Sequence, residues 1–321
     1  MKNPTRREVL EMAAAMALVS GSPKEGAAST TSDATQSANT LRFFPGFSAK
    51  RVKTSGAEIN LVHAGSGPPL LLMHGAPQTH VSMRLIAPEL AKDYTVVVPD
   101  LRGYGDSSKP PDGENHANYS KRAMALDQVE VMKSFGFDKF AVVGHDRGGR
   151  VGHRMALDHP DKITKLAVLD IVPTYYLYTH VDIRFIQSYF HWFNNVRAAP
   201  APENDLKAQY EAQKARATNE IQLEYLRTSG DPANIHAMCE DYRAGASIDL
   251  QHDAADLSKK VACPLLTLWG LKGPMGRIYD VLAIWKERGA SVSGKGLGGG
   301  HNLQEDVPEE VLAELRPFLK A

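Results

Sequence analysis

Four short, largely apolar runs punctuate the chain up to residue 169: Leu70 to Met73, Tyr94 to Val98, Phe140 to Val143 and Leu166 to Leu169. Such runs, bounded by glycine, proline or a polar residue, fit parallel strands buried on both faces. Glu58 to His63 alternates instead, as a half-buried strand does, and Gly65 to Pro69 follows it as a turn cluster. Tyr119 to Phe135 puts Met124, Leu126, Val129, Val131 and Met132 at helical spacing, and Val151 to Leu157 opens another helix-like run. Strands alternating with helices predict an α/β fold on a mostly parallel, doubly wound sheet, whose ligands bind beyond the carboxyl ends of the strands.

After residue 174 the pattern changes. Tyr175, Tyr176, Tyr178, Phe185, Tyr189, Phe190, Trp192 and Phe193 make an aromatic-rich segment, followed by a Pro/Ala linker, Ala198 to Pro202, and a polar helical stretch, Leu206 to Leu226. Strand spacing resumes only at Pro264 to Gly270; a last strand near Ser291 to Ser293, a glycine run and a helix from Pro308 to Leu319 end the chain. The expected organisation is a sheet core over 41–174, an inserted helical cap over 175–256 covering the carboxyl edge, and a resumed core over 257–321.

Residues 1–40 read differently. Thr5-Arg6-Arg7-Glu8-Val9-Leu10 precedes a weakly apolar run, then a Ser/Thr/Ala-rich stretch with small residues at Gly26-Ala27-Ala28. This resembles a twin-arginine export signal with a linker, cleaved near residue 28, which would send the mature protein to the periplasm; without such a signal the protein stays cytoplasmic.

Composition narrows the partners. Lys+Arg and Asp+Glu both number 37, so there is no electrostatic pull toward nucleic acid or an anionic membrane. The two cysteines, Cys239 and Cys263, lack metal-type spacing and are expected to be free buried thiols. No apolar run reaches the roughly 18 to 20 residues of a membrane span.

The chemistry centres on Val142-Val143-Gly144-His145-Asp146-Arg147-Gly148-Gly149-Arg150. An apolar strand that stops at a glycine, a reactive residue two positions on, and two glycines opening a helix form the pattern of a nucleophile elbow. Here the reactive residue is aspartate, a poor acyl acceptor but a usable nucleophile toward an sp3 carbon bearing a leaving group. The resulting ester needs water activated by a base and oriented by a second carboxylate. His301, after the last strand and the glycine run, is the expected base. Asp170, ending the strand after the elbow, is its expected partner, because Trp269-Gly270-Leu271-Lys272-Gly273 offers no carboxylate after the later strand. The backbone N–H groups of Arg147 and Ala76 are the oxyanion candidates. Arg147 and Arg150, three apart on the first helical turn, point to an anionic substrate held by its carboxylate.

With these residues in hand the chain resembles the haloacetate and fluoroacetate dehalogenases of the α/β-hydrolase superfamily, over about Phe44 to Leu319. The resemblance is carried by Phe44-Pro45-Gly46-Phe47, His74-Gly75, Asp100 to Gly105, the elbow with both arginines, His153 to Pro160, His191-Trp192, Asp241-Tyr242-Arg243-Ala244 and Gly300-His301. It implies an α/β-hydrolase fold, no cofactor and no metal, and a halide pocket made by His191, Trp192 and Tyr242. The implied partners are water and a small anionic haloacid; a homodimer is compatible with it. The chain departs from the family at Ala76 and Asn302, where aromatic residues are common, so a roomier pocket admitting 2-substituted haloacids is expected. An epoxide hydrolase would share the aspartate nucleophile but use two cap tyrosines, and a non-catalytic small-acid receptor would have no use for the base.

Overall fold

In the computed structural model, residues 40–321 are described, so the export signal expected in the first 40 residues lies almost wholly outside them. Eight strands form one sheet: β1 (Ser48–Lys53), β2 (Glu58–Ala64), β3 (Pro69–Met73), β4 (Thr95–Pro99), β5 (Phe140–His145), β6 (Ile163–Leu169), β7 (Leu265–Gly270) and β8 (Val292–Leu297), in the spatial order β1-β2-β4-β3-β5-β6-β7-β8. The pairings of β2 with β1 and with β4 are antiparallel. From β4 to β8 all pairings are parallel.

Alternate residues of the central strands enter two separate apolar clusters. Leu71, Met73, Val97, Val142, Leu166 and Val168 join one. Leu70, Leu72, Val96, Val98, Val143, Ala167 and Leu169 join the other. Both faces are therefore covered, which is why these segments read as largely apolar runs.

The helices are α1 (Ala87–Leu90), α2 (Lys121–Lys133), α3 (Arg147–Asp158), α4 (Thr174–Thr179), α5 (Ile183–Tyr189), α6 (His191–Asn194), α7 (Ala201–Lys214), α8 (Glu220–Ser229), α9 (Pro232–Gly245), α10 (Ile248–Ala255), α11 (Met275–Ile278), α12 (Val281–Arg288), α13 (Leu303–Asp306) and α14 (Pro308–Lys320). Seven of them, α4 to α10, separate β6 from β7 in sequence, although these strands are neighbours in the sheet. Phe185, Trp192, Leu206, Tyr210 and Leu226 of this insertion share one apolar cluster with the sheet.

Three local expectations change. The stretch Leu206 to Leu226 is two helices, because Asn219 accepts a hydrogen bond from the Gln222 N–H and starts α8 afresh. The last strand runs on to Leu297 through glycines expected to be loop. A Cβ on Gly294 would lie 2.0 Å from the Thr267 carbonyl oxygen, so these glycines serve close approach between β8 and β7. Strand β1, polar and half exposed at the sheet edge, carries no apolar alternation and was not expected. Of the two free cysteines, Cys239 is buried and Cys263 half-buried.

Candidate active site

Because β3, β5, β6, β7 and β8 are parallel, the residues just past their carboxyl ends meet along one edge of the sheet. Met73 is in register with Gly144, and His145 with Leu169. Asp146 follows β5 at φ 43°, and Asp170 follows β6 at φ 54°. Both are non-glycine residues in the left-handed region, a conformation that costs roughly 1–3 kcal/mol and persists only where the surroundings impose it. At the elbow they do: Asp146 N–H donates to the Leu169 carbonyl at 3.2 Å and Gly148 N–H to the His74 carbonyl at 2.9 Å. A Cβ on Gly148 would sit 2.5 Å from the Met73 carbonyl oxygen, so helix α3 can pack this close to β3 only through glycine.

Asp146 Oδ2 accepts the Ala76 N–H at 3.1 Å. His301 Nδ1 meets Asp170 Oδ2 at 2.6 Å, while Asp170 Oδ1 accepts the Gly270 N–H at 2.8 Å. Asp170 thus reaches from the end of β6 across the end of β7 and holds the histidine from the far loop. Burial alone would raise the pKa of Asp146, but the charges of His301, Arg147 and Arg150 outweigh it and hold the carboxyl well below the usual range. For His301 burial lowers the pKa, and the Asp170 hydrogen bond with the charges of Asp146 and Asp170 overcomes it, leaving it raised.

A cavity of about 350 Å3 opens over this edge, and Ala76, Asp146, Arg150, Asp170, His191, Trp192, Tyr242 and His301 all line it. Arg150 Nη1 donates to the Val172 carbonyl at 3.0 Å and to Thr174 Oγ1 at 3.2 Å, which fixes the guanidinium at the wall. Arg147 is held differently. Its guanidinium carbon lies 3.7 Å from the Tyr242 ring centroid and 4.6 Å from that of Trp192, and its Nε is 3.5 Å from Asp241 Oδ2. Arg147 is absent from the cavity lining, so the two arginines, equivalent in sequence, differ in access. His191 is open to the cavity, yet burial of its ring and the nearby Arg147 charge push its pKa down to about 4, so near neutral pH it is an uncharged N–H donor.

Two residues without an assigned role in the sequence belong to the same machinery. His145 is buried beside His301, their ring centroids 4.8 Å apart, and its Nε2–H donates to the His301 carbonyl at 2.9 Å. Burial and the His301 charge push His145 down to about 3, so it stays neutral and serves as a fixed donor that ties the histidine loop to the elbow. Asp241, fully buried, accepts from Tyr104 Oη at 2.5 Å and pairs with Lys121 and Arg147. Its only sequence signal was its place in an Asp-Tyr-Arg-Ala segment, which does not show which cations it meets. Removing one member of a buried ion cluster leaves the others uncompensated, so Asp241→Ala is expected to lose about 3–5 kcal/mol of stability, read from urea unfolding.

Known proteins share this fold and much of this sequence. A family model described as the alpha/beta hydrolase fold matches residues 68–306. A fluoroacetate dehalogenase of Burkholderia sp is 46% identical over 288 residues, 86% of this chain and 95% of that protein. A soluble epoxide hydrolase of Corynebacterium sp. (strain C12) is 32% identical over 278 residues, 80% of this chain and 92% of that protein. The solved structure of a Nostoc sp PCC 7120 protein assigned to the alpha/beta hydrolases superposes with a TM-score of 0.83 at 50% identity, over 86% of this chain and 99% of that one. With an elbow, a histidine loop and a carboxylate gathered on the carboxyl edge of an eight-stranded, mostly parallel sheet, and with identity that spans nearly the whole of these relatives, the chain belongs to the alpha/beta hydrolase fold family.

Proposed function

We propose that the protein is a hydrolytic dehalogenase of short 2-haloacids, working through a covalent ester on Asp146. The observation that carries this reading is the carboxylate at the elbow: Oδ2 is already held by the Ala76 N–H at 3.1 Å, which leaves Oδ1 as the attacking atom. Oδ1 bonds to the carbon alpha to the substrate carboxylate as the carbon–halogen bond breaks, and the halide departs with the bonding pair. Arg150 supplies positive charge at the cavity wall for the substrate carboxylate. Neutral His191, the Trp192 indole N–H and the Tyr242 hydroxyl receive the halide without a competing acceptor charge. Arg147, packed over the Trp192 and Tyr242 rings, makes that corner electropositive while staying tied to Asp241.

In the second half, His301 takes a proton from water, whose oxygen attacks the ester carbonyl carbon. Charge gathers on Oδ2, the atom the Ala76 N–H already holds and to which the Arg147 N–H adds the second donor. Collapse releases the 2-hydroxyacid carrying the former Oδ1 and restores Asp146 with the oxygen from water. A single turnover of chloroacetate in H2(18)O is therefore expected to label Asp146, found in its proteolytic peptide, and to leave the first glycolate unlabelled. Label in the first product with an unlabelled Asp146 would overturn the covalent route.

The charges dictate the pH response. Asp146 is held ionised far into acid, so the displacement step should be flat there, whereas ester hydrolysis requires neutral His301 and should rise with pH. Alkylation turns Asp146 into a neutral ester and removes one of the charges that raise His301. The ester-hydrolysis limb, measured as kcat against pH, is expected to lie below the His301 titration of the free protein followed by NMR. Coincidence of the two would mean that Asp146 does not feel His301.

A second reading, epoxide hydrolysis, is favoured by one observation. Tyr189 and Tyr242 both line the cavity, and the Tyr189 hydroxyl is buried without a hydrogen-bond partner among the described residues. Epoxide opening needs such an O–H to protonate the ring oxygen, while halide release does not. The buried cations weigh the other way, since a neutral epoxide has no use for the Arg150 charge.

A further inference from the structure

At roughly the 30 Å3 that a water molecule occupies, the five heavy atoms of a haloacetate fill about 150 Å3. The catalytic cavity holds about 350 Å3, which leaves space for several more atoms. It also shares three wall residues, Pro77, Tyr210 and Gln213, with a second cavity of about 410 Å3 bounded by α7, α8, the loop after β3 and the segment after His301. The two small side chains of interest divide between them: Ala76 lines the catalytic cavity and Asn302 the second one.

The second cavity has a definite chemistry. Its one carboxylate, Glu305, is fully engaged, pairing with Arg84, accepting from Gln78 Nε2 at 2.5 Å and from Tyr225 Oη at 2.9 Å. The Gln78 bond orients that amide, and its Oε1, also buried, has no partner among the described residues. Arg216 lies exposed at the wall and its side chain makes no ion pair or hydrogen bond among the described residues. With Glu305 neutralised by Arg84, the uncommitted charge facing this space is positive. The uncommitted buried acceptor is Gln78 Oε1, which suits a donor group or a bridging water.

We propose that the two cavities act as one extended site, and that the preferred substrates are 2-haloacids whose C2 substituent is a chain ending in an anionic group. This rests on the dehalogenase reading above. The first carboxylate and the halogen occupy the catalytic cavity, the chain passes Tyr210 and Gln213, and its charged end meets Arg216. Asn302, following the base in sequence, lines the second cavity and leaves room there that a larger side chain would fill.

A matched pair of substrates tests this: 2-chloroadipate and 2-chlorohexanoate have equally long chains and differ only in whether the far end is a carboxylate or a methyl group. Chloroacetate serves as the reference for the short-substrate reaction. The wild type is expected to favour 2-chloroadipate in kcat/KM by about fivefold, the upper range for a solvent-exposed ion pair. Arg216→Ala should bring that ratio below one, because a charged tail then has only desolvation to show for entering. Asn302→Phe should depress both long substrates relative to chloroacetate. A wild-type ratio at or below one, or a ratio that Arg216→Ala leaves untouched, overturns the proposal. Failure of all three substrates, chloroacetate included, overturns the dehalogenase reading and this proposal with it, whereas conversion of chloroacetate alone overturns only the extended site.

Discussion

Asp146→Ala is expected to lower kcat/KM for chloroacetate by about 10^4-fold or more, since the route without the nucleophile retains only substrate binding and orientation. The variant should still fold. Asp146 already sits at φ 43° at a steric cost that alanine would share, and the elbow is held by backbone bonds from residues 146 and 148 that do not involve the side chain. Halide release followed by ion chromatography measures it. A residual rate within about 100-fold of wild type would mean that water attacks carbon directly, with Asp146 only holding it.

His301→Gln separates the two halves of the reaction. Removing a general base costs typically 10^2 to 10^4-fold in the step it serves, so turnover should fall by about that factor while the first displacement continues. The expected trace is a burst of halide equal to the enzyme concentration, and an intact mass heavier by the alkyl group, with the adduct on the peptide containing Asp146. An adduct only with epoxides would select the second reading, and none with any haloacid or epoxide would defeat both. Glutamine retains volume, so the Asp170 side chain, which also accepts the Gly270 N–H, keeps one of its partners.

Much of this was legible along the chain because the physics behind it is local. Largely apolar runs predicted the central strands, since a strand buried on both faces has few polar positions to show. The Gly-x-Asp-x-Gly turn was legible because only glycine tolerates a backbone as near as that of Met73 to Gly148. Asp170 was found by elimination, and the structure brings it within 2.6 Å of His301 from 131 residues away. The edge strand β1 and the break between α7 and α8 were not legible, because an exposed edge has little hydrophobic period and a polar helix can stop wherever a capping side chain offers itself.

The sequence by itself determined which chemical groups exist and which backbone turns present them: an aspartate rather than a serine at the elbow, a late histidine after glycines, two arginines on one helical turn. Only the tertiary structure decided how each group is used. Arg150 is anchored by the Val172 carbonyl and Thr174 at the cavity wall, whereas Arg147 is taken up by Tyr242, Trp192 and Asp241, residues 45 to 95 positions later that no local period could bring to it. His145 became a neutral donor because burial removes its charge. Asn302, a neighbour of the base in sequence, faces a different cavity from Ala76. Access, desolvation and long-range partnership are properties of packing, and packing couples segments that share no pattern along the chain.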